Sequence, residues 1–374
     1  MILASIAPNI QKILVDSDRI STFATTISTQ VVAPTFRSKW YPENVTISLL
    51  ELLQTMGRIP EASKFWKKDI AEAFNDPRFL ATRLNLVEGG WLPILRHWTL
   101  IDKDRMSDLF PRLSSPTTAG IVFGVGASSA RSEADHKTQS NLRRMAVLIL
   151  AAANDTFVAN LTTLQEKIVD LITATTTSSP SSMMRGDIYM VIRALLLKVS
   201  AVHLAPLWPI VTAELHDALT SLLPEDSSGI FNLNSILQAC KLLDTLLTIA
   251  PDDFQIREWL FITDTIDAVY RPPQWEPVAL VDELAEGLDA TTGGTIPLSA
   301  PLGNAAPGGQ RKPLLTSSLV RAVKRDDLVD SVLRPFLRQL SIYAFESTYS
   351  MESPDWKACF DDLLEDLFDD STLV

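Results

Sequence analysis

The sequence predicts an all-α protein, and three observations support this fold class. Hydrophobic residues make up 46% of the 374 residues, enough to bury a large core. Glycine (14) and tyrosine (5) are scarce, whereas a β-sandwich normally needs more aromatic residues and more turn glycines. Along most of the chain, apolar residues recur at i, i+3 and i+4, which is the period of an amphipathic helix.

Helices can be assigned in chain order through the first hundred residues. Apolar spacing predicts them over 10–27, 43–56, 60–75, 77–87 and 91–100. Pro34 and Pro42 interrupt the pattern after the first helix, and Pro60 stands where a helix often begins. Asp76-Pro77 ends the third helix and starts the fourth, and Gly89-Gly90 separates the last two.

The middle of the chain continues the helical pattern after a Ser-, Thr-, Gly- and Ala-rich stretch at 114–130, which we expect to be a loop. Prolines, Asn/Asp caps and a Thr/Ser tract at 173–182 separate the helices that follow. These helices are predicted over 133–153, 155–172, 187–202, 207–223, 233–249 and 252–270.

The predicted architecture is an irregular array of antiparallel helices of the HEAT or α-solenoid type, because no fixed repeat period is visible. Residues 1–275 form the array. Residues 276–313 are first acidic and then rich in Gly, Pro and Ala, so we expect a disordered low-complexity linker that packs no core. Residues 314–374 form a C-terminal helical segment, with helices over 315–349 and 356–368, that packs on the array or on a partner.

Composition also limits the classes of function. The net charge of -12 disfavours general nucleic-acid binding, which needs a basic surface. The two cysteines match no metal or redox spacing, so a reducing, cytoplasmic location fits. The apolar stretch at 191–215 carries charges and prolines and is not expected to cross a membrane, and the N-terminus lacks the basic start of a secretory signal.

No catalytic or cofactor motif is complete. Gly124-Val-Gly126 imitates a dinucleotide loop, but Ser129 stands where the third glycine is needed and only three apolar residues precede the loop. The four histidines show no metal-ligand spacing. We therefore expect no catalytic residues, no cofactor, no metal and no enzyme activity, with a nucleotide-binding enzyme using the Gly124 loop as a distant alternative.

A basic segment between two acidic stretches is the candidate lipid-binding site. It contains Arg311, Lys312, Arg321, Lys324 and Arg325, the last three at helical i, i+3, i+4 spacing. Basic side chains of this kind attract anionic phosphoinositide membrane, each by about 1 kcal/mol. The alternative is a solvated helix face or internal pairing with the acidic tail, because aspartates at 326, 327 and 330 dilute the charge.

Two amphipathic features indicate protein contacts. The acidic tail at 360–368 has its apolar residues on one side, so it can dock into a partner's groove or onto its own domain. Leucine-rich stretches between 195 and 247 suggest self-association as a dimerisation module, but their heptads do not persist, which favours core packing.

Two segments carry a family resemblance. One is the run from His203 to Leu215, which resembles the LWPxxxxEL stretch of Dopey-family C-terminal regions through Leu207, Trp208, Pro209, Glu214 and Leu215. The other, Trp66 to Phe79, is similar to a helix and turn of that family, as are the leucine-rich helices after Ser235. The resemblance spans most of 1–270 and returns weakly in 315–370.

The resemblance implies a fragment of a much larger cytosolic protein that is peripheral on Golgi and endosome membranes. It implies a scaffold in endosome-to-Golgi vesicle traffic. The implied partners are a large Mon-type scaffold resembling Arf exchange factors, a lipid-flippase ATPase, and phosphatidylinositol 4-phosphate membrane. Leu207, Trp208, Pro209, Glu214 and Leu215 are then the candidate partner residues.

Overall fold

A computed structural model describes residues 9–14, 16–113, 127–177, 183–223, 230–262, 279–281, 283–284, 309–349 and 352–372. Within these residues the fold is all-α, as the sequence predicts, and the only β-type pairing is an isolated bridge between Arg311 and Pro354. The helices form an irregular packed array around one continuous hydrophobic core.

The N-terminal part is built from four longer helices and several single turns. These helices are α1 (Ser17–Ile27), α2 (Ile47–Gly57), α3 (Ser63–Asn75) and α4 (Leu92–Ile101). Side-chain caps fix two of the starts, since Asp16 accepts a hydrogen bond from the Asp18 backbone N–H and Thr46 accepts one from that of Leu49. Single helical turns lie at Ile10–Ile13, Ala33–Phe36, Pro60–Ala62, Pro77–Ala81, Leu84–Leu86, Lys103–Arg105 and Phe110–Arg112.

The central part contains the longest helices. They are α5 (Ala127–Ala151), α6 (Leu161–Thr177), α7 (Met183–Lys198), α8 (Trp208–Thr220) and α9 (Leu233–Ile249). A capping box formed by Asn232 and Ser235 closes the start of α9. Single turns lie at Val158–Asn160, Ala201–Leu204, Ala205–Leu207, Asp252–Gln255 and Glu258–Leu260.

Helix α7 is the hub of the array. It packs against α5 on one side, α9 on another and the last helix on a third. Almost every residue described on it is therefore buried, including the charged Arg185, Asp187 and Arg193. A helix covered all round must pair its charges, because an isolated buried charge is very costly.

The C-terminal segment contains α10 (Ser317–Arg321), α11 (Arg334–Tyr349) and α12 (Trp356–Leu367), with single turns at Arg325–Asp327, Val329–Leu333 and Asp370–Thr372. Helix α11 packs on α9, whereas α12 returns to α5 and α7. The chain therefore folds back on its middle instead of adding helices at one end.

Three widened, π-type turns each lead into a proline, and two of them make a continuous helical path where breaks were predicted, at Pro34 and at Gly89-Gly90. They lie at Ser28–Val32, Val87–Trp91 and Val329–Leu333, and each leads directly into a helix whose second residue is proline. Proline has no N–H to donate and clashes with the carbonyl four residues earlier, and a wider turn accommodates both defects. The pattern from 77 to 101 is thus a series of turns leading into α4.

Other boundaries differ from the sequence prediction. Part of the expected loop at 114–130 is helical, because α5 begins at Ala127, and residues 114–126 lie outside the described residues. The expectation that 276–313 packs no core is wrong for its described parts. Leu280, Val281 and Leu284 are buried, and the Val281 N–H donates to the Phe261 carbonyl at 3.0 Å. Residues 285–308 lie outside the described residues.

Candidate interaction site at the C-terminal segment

The acidic tail docks onto its own array as helix α12. Its apolar side chains Cys359, Leu363, Leu364 and Leu367 are buried against the array. Asp355 caps its start by accepting a hydrogen bond from the Ala358 N–H at 2.9 Å. Of the two alternatives that the sequence leaves open for this helix, the structure shows the internal one.

Two aspartates one turn apart on α12 meet two buried cations of the array. Arg193 of α7 donates to Asp362 and Asp366, at 2.7 Å in each case. Lys241 of α9 donates to Asp366 at 2.6 Å and to Ser317 of α10 at 2.8 Å. The four charges sum to zero. We call these five residues the buried ion cluster.

The cluster shifts the pKa values of Asp366 and Arg193. Burial opposes the charged form of Asp366, but the attraction of Lys241 and Arg193 outweighs it, so the pKa of this carboxyl lies well below its usual range. Burial likewise opposes the charge on Arg193, yet Asp366 and Asp362 raise its pKa above the usual value. The ionised forms of Asp366 and Arg193 are therefore the stable ones.

Asp244 of α9 lies beside the cluster and behaves in the opposite way. Burial raises its pKa to about 7, and the hydrogen bonds from the backbone at Leu315 and Leu314 only partly offset this. One carboxylate oxygen accepts from the Leu315 N–H at 2.7 Å, while the other is buried with no hydrogen-bond partner. Asp244 thus fixes the backbone that leads into α10.

Arg143 of α5 anchors the turn that follows α12. Its side chain is fully buried and forms an ion pair with Asp187 of α7 at 2.6 Å. The same guanidinium donates to the Asp369 carbonyl and to the Thr372 hydroxyl, at 2.7 Å in each case. The C-terminal end of α12 is therefore held by the array.

The basic segment is not one helix face. Helix α10 ends at Arg321, and Lys324 has extended backbone, so the expected i, i+3, i+4 face of Arg321, Lys324 and Arg325 does not form. Arg321 forms an ion pair with Glu365 of α12 at 3.1 Å. Lys324 and Arg325 are exposed and form no ion pair with the residues that the structure describes.

The other two candidate lipid-binding residues contact the segment that leads into α12. The Arg311 N–H donates to the Ser353 carbonyl at 3.0 Å, and the Asp355 N–H donates to the Arg311 carbonyl at 2.8 Å. Lys312 is exposed, with its ammonium 3.9 Å from the Asp355 carboxylate. These backbone bonds make Arg311 part of the docking of the tail.

A cavity of about 200 Å³ opens between three segments at this end of the array. It is lined by the start of α9 (232–237), the end of α10 with the connection that follows it (320–328), and the final turn (369–372). Arg321 and Arg325 belong to its lining, whereas Lys324 does not. We call it the tail cavity.

The family-motif residues are mostly internal. Leu207, Trp208, Glu214 and Leu215 are buried, and Pro209 is exposed at the start of α8. The Trp208 indole N–H donates to Asp253 at 3.1 Å. Four of the five candidate partner residues are therefore not accessible to a partner.

The contacts of Glu214 explain why the motif has an acidic residue at this position. Its carboxylate pairs with Arg185 and accepts a hydrogen bond from the Tyr189 hydroxyl at 2.9 Å, joining α8 to α7. The leucine-rich stretches are internal too, with Leu195, Leu219 and Leu246 fully buried. Core packing is confirmed for these leucines, and a second copy of the chain cannot contact them.

The Gly124 loop, which is the basis of the distant nucleotide-binding alternative, lies outside the described residues. Among the residues that are described, no group of three His, Cys, Asp or Glu side chains could hold a metal ion. Both cysteines are buried free thiols.

No helix in the described parts of the chain combines the length and apolar character needed to cross a membrane.

Fold and site together define an all-α helical array whose own acidic tail is locked into it by buried charges. The model of the family described as DOP1 C-terminal matches residues 1–350. The chain is 48% identical over its full length to Protein dop1 of Emericella nidulans, and 27% identical over 94% of its length to Protein DOP1 of Saccharomyces cerevisiae. It is 26% identical over 57% of its length to Protein DOP1B of Mus musculus.

The chain belongs to the DOP1, or Dopey, family and corresponds to its C-terminal region. It spans 20% of the length of each fungal relative and 10% of the mouse relative. No solved structure matches it.

Proposed function

We propose that this chain is a non-catalytic adaptor domain that binds protein partners in endosome-to-Golgi vesicle transport. It acts at the cytosolic surface of Golgi and endosome membranes, within a much longer protein. Its expected partners are a large Mon-type scaffold resembling Arf exchange factors and a lipid-flippase ATPase. The location and the partners follow from the family resemblance.

The observation that carries the adaptor role is the tail cavity. It is a concave site bounded by three chain segments, and its lining contains no histidine or cysteine beside its hydroxyl groups. The ionisable groups of the lining are Arg321, Arg325 and Asp369, which suit the binding of a charged group better than proton transfer. Helical-array proteins commonly bind partners through concave surfaces.

A second function, direct contact with phosphatidylinositol 4-phosphate membrane, is favoured by a different observation. Lys324 and Arg325 are exposed, and among the described residues they meet no carboxylate in an ion pair. Two such cations next to an anionic surface add about 1 kcal/mol each. This is a weak contact unless a partner also holds the chain on the membrane.

Affinity capture followed by mass spectrometry tests the adaptor role. The immobilised 374-residue chain is expected to retain the trafficking scaffold or the flippase from a detergent extract of Golgi and endosome membranes. An acidic helical-array protein of similar size and unrelated sequence serves as the control bait. Recovery of neither partner above this control would contradict the proposal.

Vesicle flotation tests the lipid contact separately. We expect the chain to float with vesicles that contain phosphatidylinositol 4-phosphate, and reversal of charge at Arg321, Lys324 and Arg325 to abolish this. Lys137→Glu, an exposed cation on α5, is the matched control and should have no effect. Equal flotation with neutral vesicles would exclude recognition of the headgroup.

A further inference from the structure

The tail cavity is small and has five aliphatic side chains in its lining. They are Leu233 and Leu237 of α9 together with Val320, Val323 and Leu328. An apolar cavity of about 150 Å³ can hold benzene, and the tail cavity measures about 200 Å³. One aromatic or branched aliphatic side chain therefore fits, whereas a lipid acyl chain does not fit within this volume.

Two arginines of the lining differ in what they already bind. Arg321 is held by Glu365 through an ion pair of 3.1 Å and a hydrogen bond to the Glu365 carbonyl. Arg325 has no ion pair with the described residues and is exposed. A carboxylate placed at the opening would thus find a free guanidinium at Arg325, and guanidinium–carboxylate pairs are strong and directional.

The surroundings oppose a highly charged ligand. Asn232 and Ser235 close the start of α9 with reciprocal hydrogen bonds, so the backbone N–H groups of these two residues are not available to a phosphate. Asp369 is part of the lining, and Asp326 and Asp327 are exposed directly after Arg325. A single carboxylate next to an apolar group is balanced by Arg325 at the cavity, whereas a polyphosphate bound there meets the like charge of these aspartates.

We propose that the tail cavity binds a short acidic peptide segment of a partner protein. One large apolar side chain of the peptide enters the cavity, and an adjacent Asp or Glu pairs with Arg325. The proposal rests on the adaptor role and specifies its surface and the chemistry of the partner. Clusters of a buried apolar anchor and a paired arginine are typical of the residues that dominate protein interfaces.

Peptide display on the full chain tests the proposal, with a random peptide library as the probe. Enriched peptides should share a Phe, Trp, Leu or Ile next to Asp or Glu. Fluorescence polarisation then measures the best peptide on Arg325→Glu and on Lys324→Glu, two identical charge reversals at adjacent exposed residues. Only the first changes the cavity lining, so we expect an affinity loss of about tenfold or more for Arg325→Glu and little change for Lys324→Glu.

Val323→Trp provides a second variant that keeps the charge and fills the cavity from its half-buried wall. It should also abolish peptide binding, and thermal unfolding of each variant verifies that the fold is retained. The proposal is overturned if no acidic-apolar peptide is enriched, or if Arg325→Glu and Lys324→Glu weaken peptide binding equally. It is also overturned if both reversals equally weaken binding to phosphatidylinositol 4-phosphate vesicles and no peptide binds.

The partner-capture experiment separates this proposal from the adaptor role. If Arg325→Glu still captures the trafficking scaffold or the flippase as the wild-type chain does, the adaptor role stands and another surface is responsible. If neither the wild-type chain nor the variant captures a partner, the adaptor role itself fails.

Discussion

Asp366 on the last helix and Arg193 on the central helix form a buried ion pair of 2.7 Å, although 173 residues of sequence separate them. The contact makes α12 a part of the core. Without this helix, Arg193 and Lys241 would be two buried cations that lack the carboxylates now bound to them. An acidic helix with aspartates at i and i+4 is therefore required to complete the array.

Asp366→Asn should destabilise the chain by about 3–5 kcal/mol, because removal of one partner from a buried ion pair leaves the other charge uncompensated. Urea unfolding followed by circular dichroism measures the loss. The matched control is Glu365→Gln, one residue earlier, whose exposed pair with Arg321 should contribute about 1 kcal/mol or less. Equal losses in the two variants would show that the cluster is not a main source of stability.

The stabilisation from Asp366 should disappear in acid. Its folded pKa lies below the unfolded value of about 3.9, because Lys241 and Arg193 outweigh the effect of burial. A lowered folded pKa gives stability that is complete above the unfolded pKa and is lost as the pH falls below it. The difference in unfolding free energy between wild type and Asp366→Asn should therefore be constant from pH 5 to 7 and shrink below about pH 4. A difference that stays constant down to pH 2 would contradict this.

Asp244 should give a pH dependence of the opposite sign. Burial raises its folded pKa to about 7, so the folded state holds a proton that the unfolded state releases near pH 4. Stability should then fall as the pH rises from about 4 to 7, by at most about 4 kcal/mol at about 1.4 kcal/mol per pKa unit. Asp244→Asn keeps an acceptor for the Leu315 N–H and cannot ionise, so its advantage over wild type should grow across this range.

Ser318→Ala, an exposed substitution in the adjacent helix α10, is the control for the Asp244 experiment and should follow the wild-type pH profile. Urea titrations at each pH give the free energies. A wild-type profile that is flat between pH 4 and 7, or that rises, would show that Asp244 is ionised throughout this range in the folded chain.

Much of the fold could be predicted from the sequence, because local rules determine it. The period of apolar residues and Pro251 as a stop locate α9, whose observed bounds Leu233–Ile249 are those predicted. Predictions failed where the same residue type is compatible with two local backbone structures. Pro34 can end a helix or follow a widened turn, and only the packing of α1 onto its neighbours decides between them.

The site was harder to predict, because its charges meet over long sequence separations. The signal was present in part: Lys241 and Asp244 interrupt an otherwise apolar helix, and Arg193 lies within a similar stretch. Such charges indicate buried partners, but the sequence cannot say which of many carboxylates supplies them. The prediction for the basic segment failed for a different, local reason. Helical spacing was assumed to continue past Arg321, where α10 ends.

The adjacent glycines 89 and 90 should respond differently to alanine. A Cβ on Gly90 would lie 2.9 Å from Leu50 Cβ and closer still to a methyl group of Leu50, which is fully buried. Gly90→Ala should therefore cost about 1–3 kcal/mol through overpacking. A Cβ on Gly89 would meet only Ile47 Cδ1 at 3.6 Å, an ordinary contact. Gly89→Ala should be neutral or slightly stabilising, and a similar loss in both variants would show that the π turn itself requires glycine.

The family motif should act through stability and not through direct partner contact. Leu215 is fully buried beside the ion pair of Arg185 and Glu214, so Leu215→Ala should lower the unfolding free energy by about 2–5 kcal/mol. Partner capture, measured at a temperature where the variant remains folded, should be unchanged. Pro209→Ala changes the exposed residue of the same motif and serves as the matched variant, with little expected effect on stability. If Pro209→Ala abolishes partner capture while the chain stays as stable as wild type, the motif is itself a contact surface and its structural assignment is wrong.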